Sequence, residues 1–184
     1  MAVQRYNAVA ITLHWVMAIC FVLMLGSGLA MINFIVDPSL KFQLFQWHKS
    51  LGVLLLLAFF LRLAVRLVAV TPPLPPLPKW ERFAAKLGHI GLYVWMIALP
   101  LTGWAMVSAS PYGLPTIVFG WFEWPHVEPL YANEGAYKLA KLAHWVMAYI
   151  FIALILGHIG AVIKHTVHDK TPLLRRMWFF KKGE

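Results

Sequence analysis

His144-Trp-Val-Met-Ala-Tyr-Ile-Phe-Ile-Ala-Leu-Ile-Leu-Gly-His158 is an uncharged apolar stretch closed at each end by a histidine. Read as an α-helix, its 14-residue spacing returns to within about 40° of one face and rises about 21 Å. One helix thus presents two imidazoles, one per leaflet of a bilayer. The stretch belongs to an apolar segment running from about 141 to 165, long enough to span. Ionisable side chains inside a span are costly and mark function.

The rest of the chain has the same character. Its 184 residues are 61% hydrophobic and 12% charged, and the mean hydropathy of +0.70 excludes an ordinary soluble domain. Three further spans are expected at about 8–34, 50–70 and 87–108, with a retained first span, since no charge falls between Arg5 and Asp37. The Pro-rich run from Pro72 to Pro78 ends the second span as a stiff linker, and Pro100 is tolerated within the third. Residues 109–140, with Pro111, Pro115, Pro125, Pro129, Trp121 and Trp124, read as an interfacial loop, and 168–184 as a short basic tail. The fold class is all-α, a single integral-membrane four-helix domain over 1–184.

The net charge of +9 reports topology rather than nucleic acid. Of the 16 Lys and Arg, twelve flank the termini and the gap between the second and third spans, and only Lys41, Lys49, Lys138 and Lys141 flank the other gaps. The positive-inside rule then places both termini in the cytoplasm of a multi-pass protein of the bacterial inner membrane. Cys20, the single cysteine, can form no intrachain disulfide.

Depth sorts the eight histidines. His48 and His144 fall near the outer surface and pair there, while His126 lies in the loop as a solvated residue. His14 and His158 match in depth on the inner side, leaving His89 and His165 nearer the cytoplasmic water. Two bis-histidine sites about 21 Å apart suit two b haems stacked across the bilayer. Zinc is disfavoured, because a structural site needs four N or S ligands and one leaflet offers only two, with no Cys nearby. Small residues such as Gly52, Gly88, Gly91, Gly103, Gly157 and Gly160 suit either haem or close helix packing. Arg62, at i, i+4 from Arg66 with no acid in its span, fits a haem propionate or a quinone-site group, since a buried unpaired charge is expensive.

Leu13-His14-Trp15, Trp47-His48-Lys49-Ser50, Arg62-Leu-Ala-Val-Arg66 running into the proline linker, Gly88-His89-Ile-Gly-Leu-Tyr93, and His144 with His158 and Lys164-His165 together resemble the bacterial cytochrome b561 family over essentially the whole chain. The resemblance implies a di-haem b inner-membrane protein exchanging electrons with ubiquinone, an activity characterised in the family being superoxide oxidation. It puts one haem on His14 and His158, the other on His48 and His144, and a quinone beside His165, with His89 near that site. This chain reads His165-Thr-Val-His168 where the family often has adjacent histidines, which leaves the second quinone contact open.

The function expected is oxidation of periplasmic superoxide to dioxygen with reduction of ubiquinone. Lys49, Lys138 and Lys141 flank the outer pair as catalytic candidates, drawing in the anion through a local positive field. The alternatives are a cytochrome b anchor exchanging electrons between the quinone pool and a hydrogenase-type or periplasmic redox partner, and, in another class, a haem-free bundle serving as a transporter subunit or scaffold.

Overall fold

The computed structural model describes residues 5–73, 76–171 and 173–179. Lys181 and Lys182 of the basic tail lie outside the described residues. Four long helices carry the fold: α1 (Ala8–Asn33), α2 (Pro38–Val68), α3 (Lys79–Ala109) and α4 (Glu134–Ile163). All four are long and apolar enough to cross a membrane. A five-residue π-turn (Lys164–His168) follows α4 directly, and a single-turn α5 (Leu173–Arg176) ends the fold.

The helices begin where capping side chains allow. Asn7, Asp37 and Asn133 each accept a bond from the backbone N–H three residues on, satisfying a donor the first turn would otherwise leave orphaned. Asp37, Asn133 and, for the third helix, Pro78 lie further out than the apolar runs, so three helices are longer than expected. The second begins at Pro38 instead of 50, the third at Lys79 instead of 87, and the fourth at Glu134 instead of 141. Hydropathy measures the lipid-embedded length, whereas a helix continues through polar turns until its cap. His48, His89 and His144 consequently lie ten residues inside their helices rather than at the ends.

The expected loop shrinks to the segment between α3 and α4 and contains an antiparallel hairpin of β1 (Thr116–Val118) and β2 (Phe122–Trp124). Phe119 and Gly120 adopt positive φ, and Trp121 N–H bonds back to Val118, the twist a tight hairpin turn needs. The hairpin is seated on α2: Phe119 N–H donates to Ser50 Oγ at 3.0 Å and Lys49 Nζ donates to the Pro115 carbonyl at 2.7 Å.

α3 packs on α4, α1 on α2 and α2 on α3. The buried core is small: Met17, Phe21, Leu55, Phe59, Met96, Leu99 and Phe151. Large apolar residues such as Leu23, Leu57, Phe60 and Leu156 are exposed around it, as lipid contact requires.

A seven-residue spacing, close to two turns, organises the inward faces. His14, Phe21 and Gly28 recur on α1; His48, Leu55 and Arg62 on α2; His89, Met96 and Gly103 on α3; His144, Phe151 and His158 on α4. Because successive helices run in opposite directions, the sets meet in three layers. One end gathers His14, Arg62, His89 and His158. The middle is Phe21, Leu55, Met96 and Phe151, with Phe21 and Phe151 in edge contact at 5.0 Å. The other end brings Gly28 against His48, Gly103 against His144, and the two histidines together.

Candidate functional site

At the hairpin end, the rings of His48 and His144 face each other with centroids 6.4 Å apart. Their Nδ1 atoms are already engaged. Ser27 Oγ donates to the Met24 carbonyl, so at 3.0 Å it accepts the Nδ1–H of His48. Thr102 likewise donates to the Leu99 carbonyl, and His144 Nδ1–H lies 3.1 Å from that carbonyl and 3.2 Å from the Thr102 hydroxyl. A carbonyl can only accept, which fixes the tautomer and leaves the Nε2 lone pair of both rings free to bind a metal. Backbone is kept close by glycine: a Cβ on Gly103 would lie 3.1 Å from His144 Cε1, and one on Gly28 would lie 3.5 Å from His48 Cε1. Beside His48 an apolar cavity of about 350 Å³ opens between α1 and α2, lined by Leu23, Met24, Leu44, Trp47 and Leu51 among others.

At the other end, His14 and His158 lie 6.3 Å apart, and His89 is 5.9 Å from His158. Here Arg62 Nη2 donates to His14 Nδ1 at 3.0 Å. A guanidinium has no lone pair to offer, so His14 Nδ1 is the acceptor and this ring holds the opposite tautomer. Arg62 Nε is buried without a partner, and its guanidinium lies 5.9 Å from the Tyr93 ring centre.

Two metal–nitrogen bonds of about 2 Å each, with the two imidazole radii, place ring centres about 6 Å apart. Both pairs match that span. Among the described residues His89 stands beside His158 but does not close a three-ligand cluster with His14, and two facing imidazoles fit a metal that brings its own equatorial ligands, as haem iron does.

Near the chain termini, a further cluster joins the first turn of α3 to the π-turn. Lys164 Nζ bridges Glu81 at 2.5 Å and Asp169 at 3.0 Å. His165, buried, directs Nδ1 at Asp169 Oδ2, 2.7 Å away, and lies 3.9 Å from Glu81 Oε2. The hydrogen bonds from Lys164 and then His165 hold the Asp169 carboxyl below its ordinary pKa. Glu81 and Asp169 were not among the residues singled out from sequence. The i, i+4 spacing of His165 and Asp169 was the available signal for the second, whereas the pairing of Glu81 with Lys164 across 83 positions had none.

The lysines are dispersed. Lys49 is half-buried with its ammonium on the Pro115 carbonyl, Lys138 pairs with Glu134 at 2.7 Å, and Lys141 lies 5.8 Å from the Tyr137 ring centre. His126 sits edge-on to Tyr131 in the loop.

Comparison with known proteins agrees with this architecture. The profile of the prokaryotic cytochrome b561 family matches residues 5–180. Cytochrome b561 homolog 2 of Escherichia coli is 31% identical over 176 residues, covering 95% of this chain and 91% of that protein. Homolog 1 of the same organism is also 31% identical, covering 95% and 97%. A Yersinia pestis protein named probable superoxide oxidase is 28% identical, covering 95% and 96%. With four spanning helices and inward-facing histidine pairs, the chain belongs to the prokaryotic cytochrome b561 family, membrane electron-transfer proteins that bind haem b.

Proposed function

We propose that the protein transfers electrons across the bacterial inner membrane from superoxide to ubiquinone, using two b haems, one between His48 and His144 and one between His14 and His158. The balanced reaction takes two superoxide ions, one quinone and two protons to two dioxygen molecules and one quinol. The observation that carries this reading is the pair of facing imidazoles at each end, 6.4 Å and 6.3 Å between ring centres, with Phe21, Leu55, Met96 and Phe151 between them. Bound there, haem b supplies one-electron redox chemistry. The chain's residues do the rest.

Ser27 and Thr102 hold the outer imidazoles with Nε2 free, and such outer partners orient and tune a metal-binding histidine. The middle layer of Phe21, Leu55, Met96 and Phe151 puts no titratable side chain between the two ends. Arg62 holds an anionic carboxylate: ligation of His14 through Nε2 requires Arg62 to leave Nδ1, and a haem propionate at its unpartnered Nε would draw it away. In this reading the quinone binds beside His165, toward the end where Tyr6 N–H and the Arg5 guanidinium donate to the Arg176 and Trp178 carbonyls. That end is cytoplasmic by the distribution of Lys and Arg.

Oxidised detergent-purified protein mixed with a superoxide source tests this directly. Rapid reduction of b-type haem absorption, reversed by added ubiquinone, is expected. Haem that ignores superoxide but is reduced on mixing with a periplasmic redox protein overturns the substrate assignment. It would favour the partner-bound reading, for which the exposed hairpin tip, with Trp121 88% accessible, is a docking surface.

A further inference from the structure

The cluster of Glu81, Lys164, His165 and Asp169 holds three titratable side chains, those around His165, to which the proposed function gives no role. Its geometry is specific. α4 does not stop with frayed carbonyls but widens into the π-turn, and Thr171 N–H closes onto the His165 carbonyl at 2.8 Å while Asp169 N–H closes onto the Lys164 carbonyl at 3.2 Å. π-turns of this kind concentrate at functional positions. The turn brings Asp169, four residues on, directly under the His165 ring, 2.7 Å from Nδ1. The imidazole is buried while Asp169 is exposed to water. Asp169 is itself held by Lys164, whose second bond goes to the buried Glu81 on α3.

We propose that Asp169 is the positioning residue that makes His165 the proton donor to a quinone reduced at this end of the bundle, with Glu81 and Lys164 holding the carboxylate in place. The inference rests on the reading of His165 as the quinone contact. A carboxylate on Nδ1–H fixes the ring and its tautomer and leaves Nε2 as the atom that faces a substrate. In the step, the Nε2–H bond of a doubly protonated His165 breaks and its electron pair stays on the ring. An O–H bond forms on a quinone oxygen, whose negative charge comes from the one-electron donor at the opposite end of the protein. Two electrons and two protons complete the quinol, and Nε2 takes up a proton from water before each transfer, while Nδ1–H stays on Asp169 throughout. The charged groups at the ring are Glu81 from α3 and Asp169 after the π-turn, with Lys164 bonded to both; α5, which carries Arg175 and Arg176, packs on the same turn, and Arg176 donates to the Pro73 carbonyl. The hydrogen bonds that keep Asp169 ionised keep it an acceptor for Nδ1–H across neutral pH.

The test uses purified holoprotein with its haem reduced in advance, mixed rapidly with a short-chain ubiquinone, following haem re-oxidation across neutral pH. Asp169→Asn is expected to slow re-oxidation on the order of tenfold to a hundredfold and to change its pH profile, while haem content and haem reduction by superoxide match the parent. Asp169→Glu, which keeps the carboxylate, is expected to restore most of the rate and the parental profile. An Asp169→Asn protein with parental rate and profile overturns the proposal, as does an Asp169→Glu protein as slow as Asp169→Asn. If the parent's haem is not re-oxidised by quinone at all, the quinone reading itself fails and the proposal falls with it.

Discussion

Ser27 and Thr102 do for two histidines what no apolar neighbour could. Each hydroxyl spends its own proton on a carbonyl one turn back and so can only accept from the imidazole. Thr102→Val preserves the shape and removes that acceptor, leaving His144 with the Leu99 carbonyl alone. Haem at this end is expected to be lost to a competing haem-binding protein about tenfold faster, read from the decay of its absorption. Arg62→Gln removes the cation bonded to His14. The expected result is weaker haem retention at the terminal end, by a similar factor, with a lower midpoint potential because a nearby positive charge is gone. His14→Ala should abolish that haem while His89→Ala should not; loss in the second variant alone would mean that His89 pairs with His158. Among the three lysines at this end, Lys138 meets the carboxylate of Glu134, while Lys49 donates to a neutral carbonyl and keeps its positive field, as Lys141 does beside Tyr137. Lys141→Gln is expected to slow superoxide oxidation and flatten its ionic-strength dependence, and an unchanged rate at low salt would remove it from the site.

Among the helices, α3 contributes no ligand to the hairpin end and yet sets how close α4 can stand. Gly103 lies where a Cβ would press on His144 Cε1 at 3.1 Å. Gly103→Ala forces the ring to give by a few tenths of an ångström, and Gly103→Leu forces it out. Haem content by absorbance is therefore expected to fall stepwise across the two variants, to about one haem per chain in the second. Helix ends were the least legible part of the sequence. Apolar length located the membrane-embedded portion of α2, α3 and α4, but Asp37, Pro78 and Asn133 decide where those helices begin. Asn133→Ala is expected to cost about 1 kcal/mol, seen as a lower melting temperature with an unchanged haem spectrum. The hairpin was unreadable because its strands are three residues each and its stability comes from Ser50 and Lys49 on a helix more than sixty positions away.

For the molecule as a whole, the clasp of Glu81, Lys164, His165 and Asp169 joins the start of α3 to the end of α4 and carries a pH signature. The folded-state pKa of Asp169 is lowered, first by the hydrogen bond from Lys164 and then by that from His165. Its contribution to stability is therefore full above the ordinary carboxylate pKa of about 4 and is lost as pH falls through the lowered value. The difference in melting temperature between the parent and Asp169→Asn is expected to be constant from neutral pH down to about pH 4 and to vanish only in stronger acid. A difference that disappears already near pH 6 would show that Asp169 is not the group responsible.

Four spans and the 14-residue separation of His144 from His158 were determined by the sequence alone, because lipid demands long uninterrupted apolar helices and a helix converts residue number into height at a fixed rise, whereas His89, expected nearer the water, stands in one layer with His14 and His158. The seven-residue recurrence of His14, Phe21 and Gly28, and of His144, Phe151 and His158, was present there too, though its meaning depends on which helices face each other. Only the tertiary structure decided that. The tautomers set by Ser27, Thr102 and Arg62, the approach of Gly103 to His144, and the ion pair of Glu81 with Lys164 all join residues from different helices. Hydrogen bonds and close packing act over about 3 Å, and no spacing along one helix encodes which neighbour will stand at that distance.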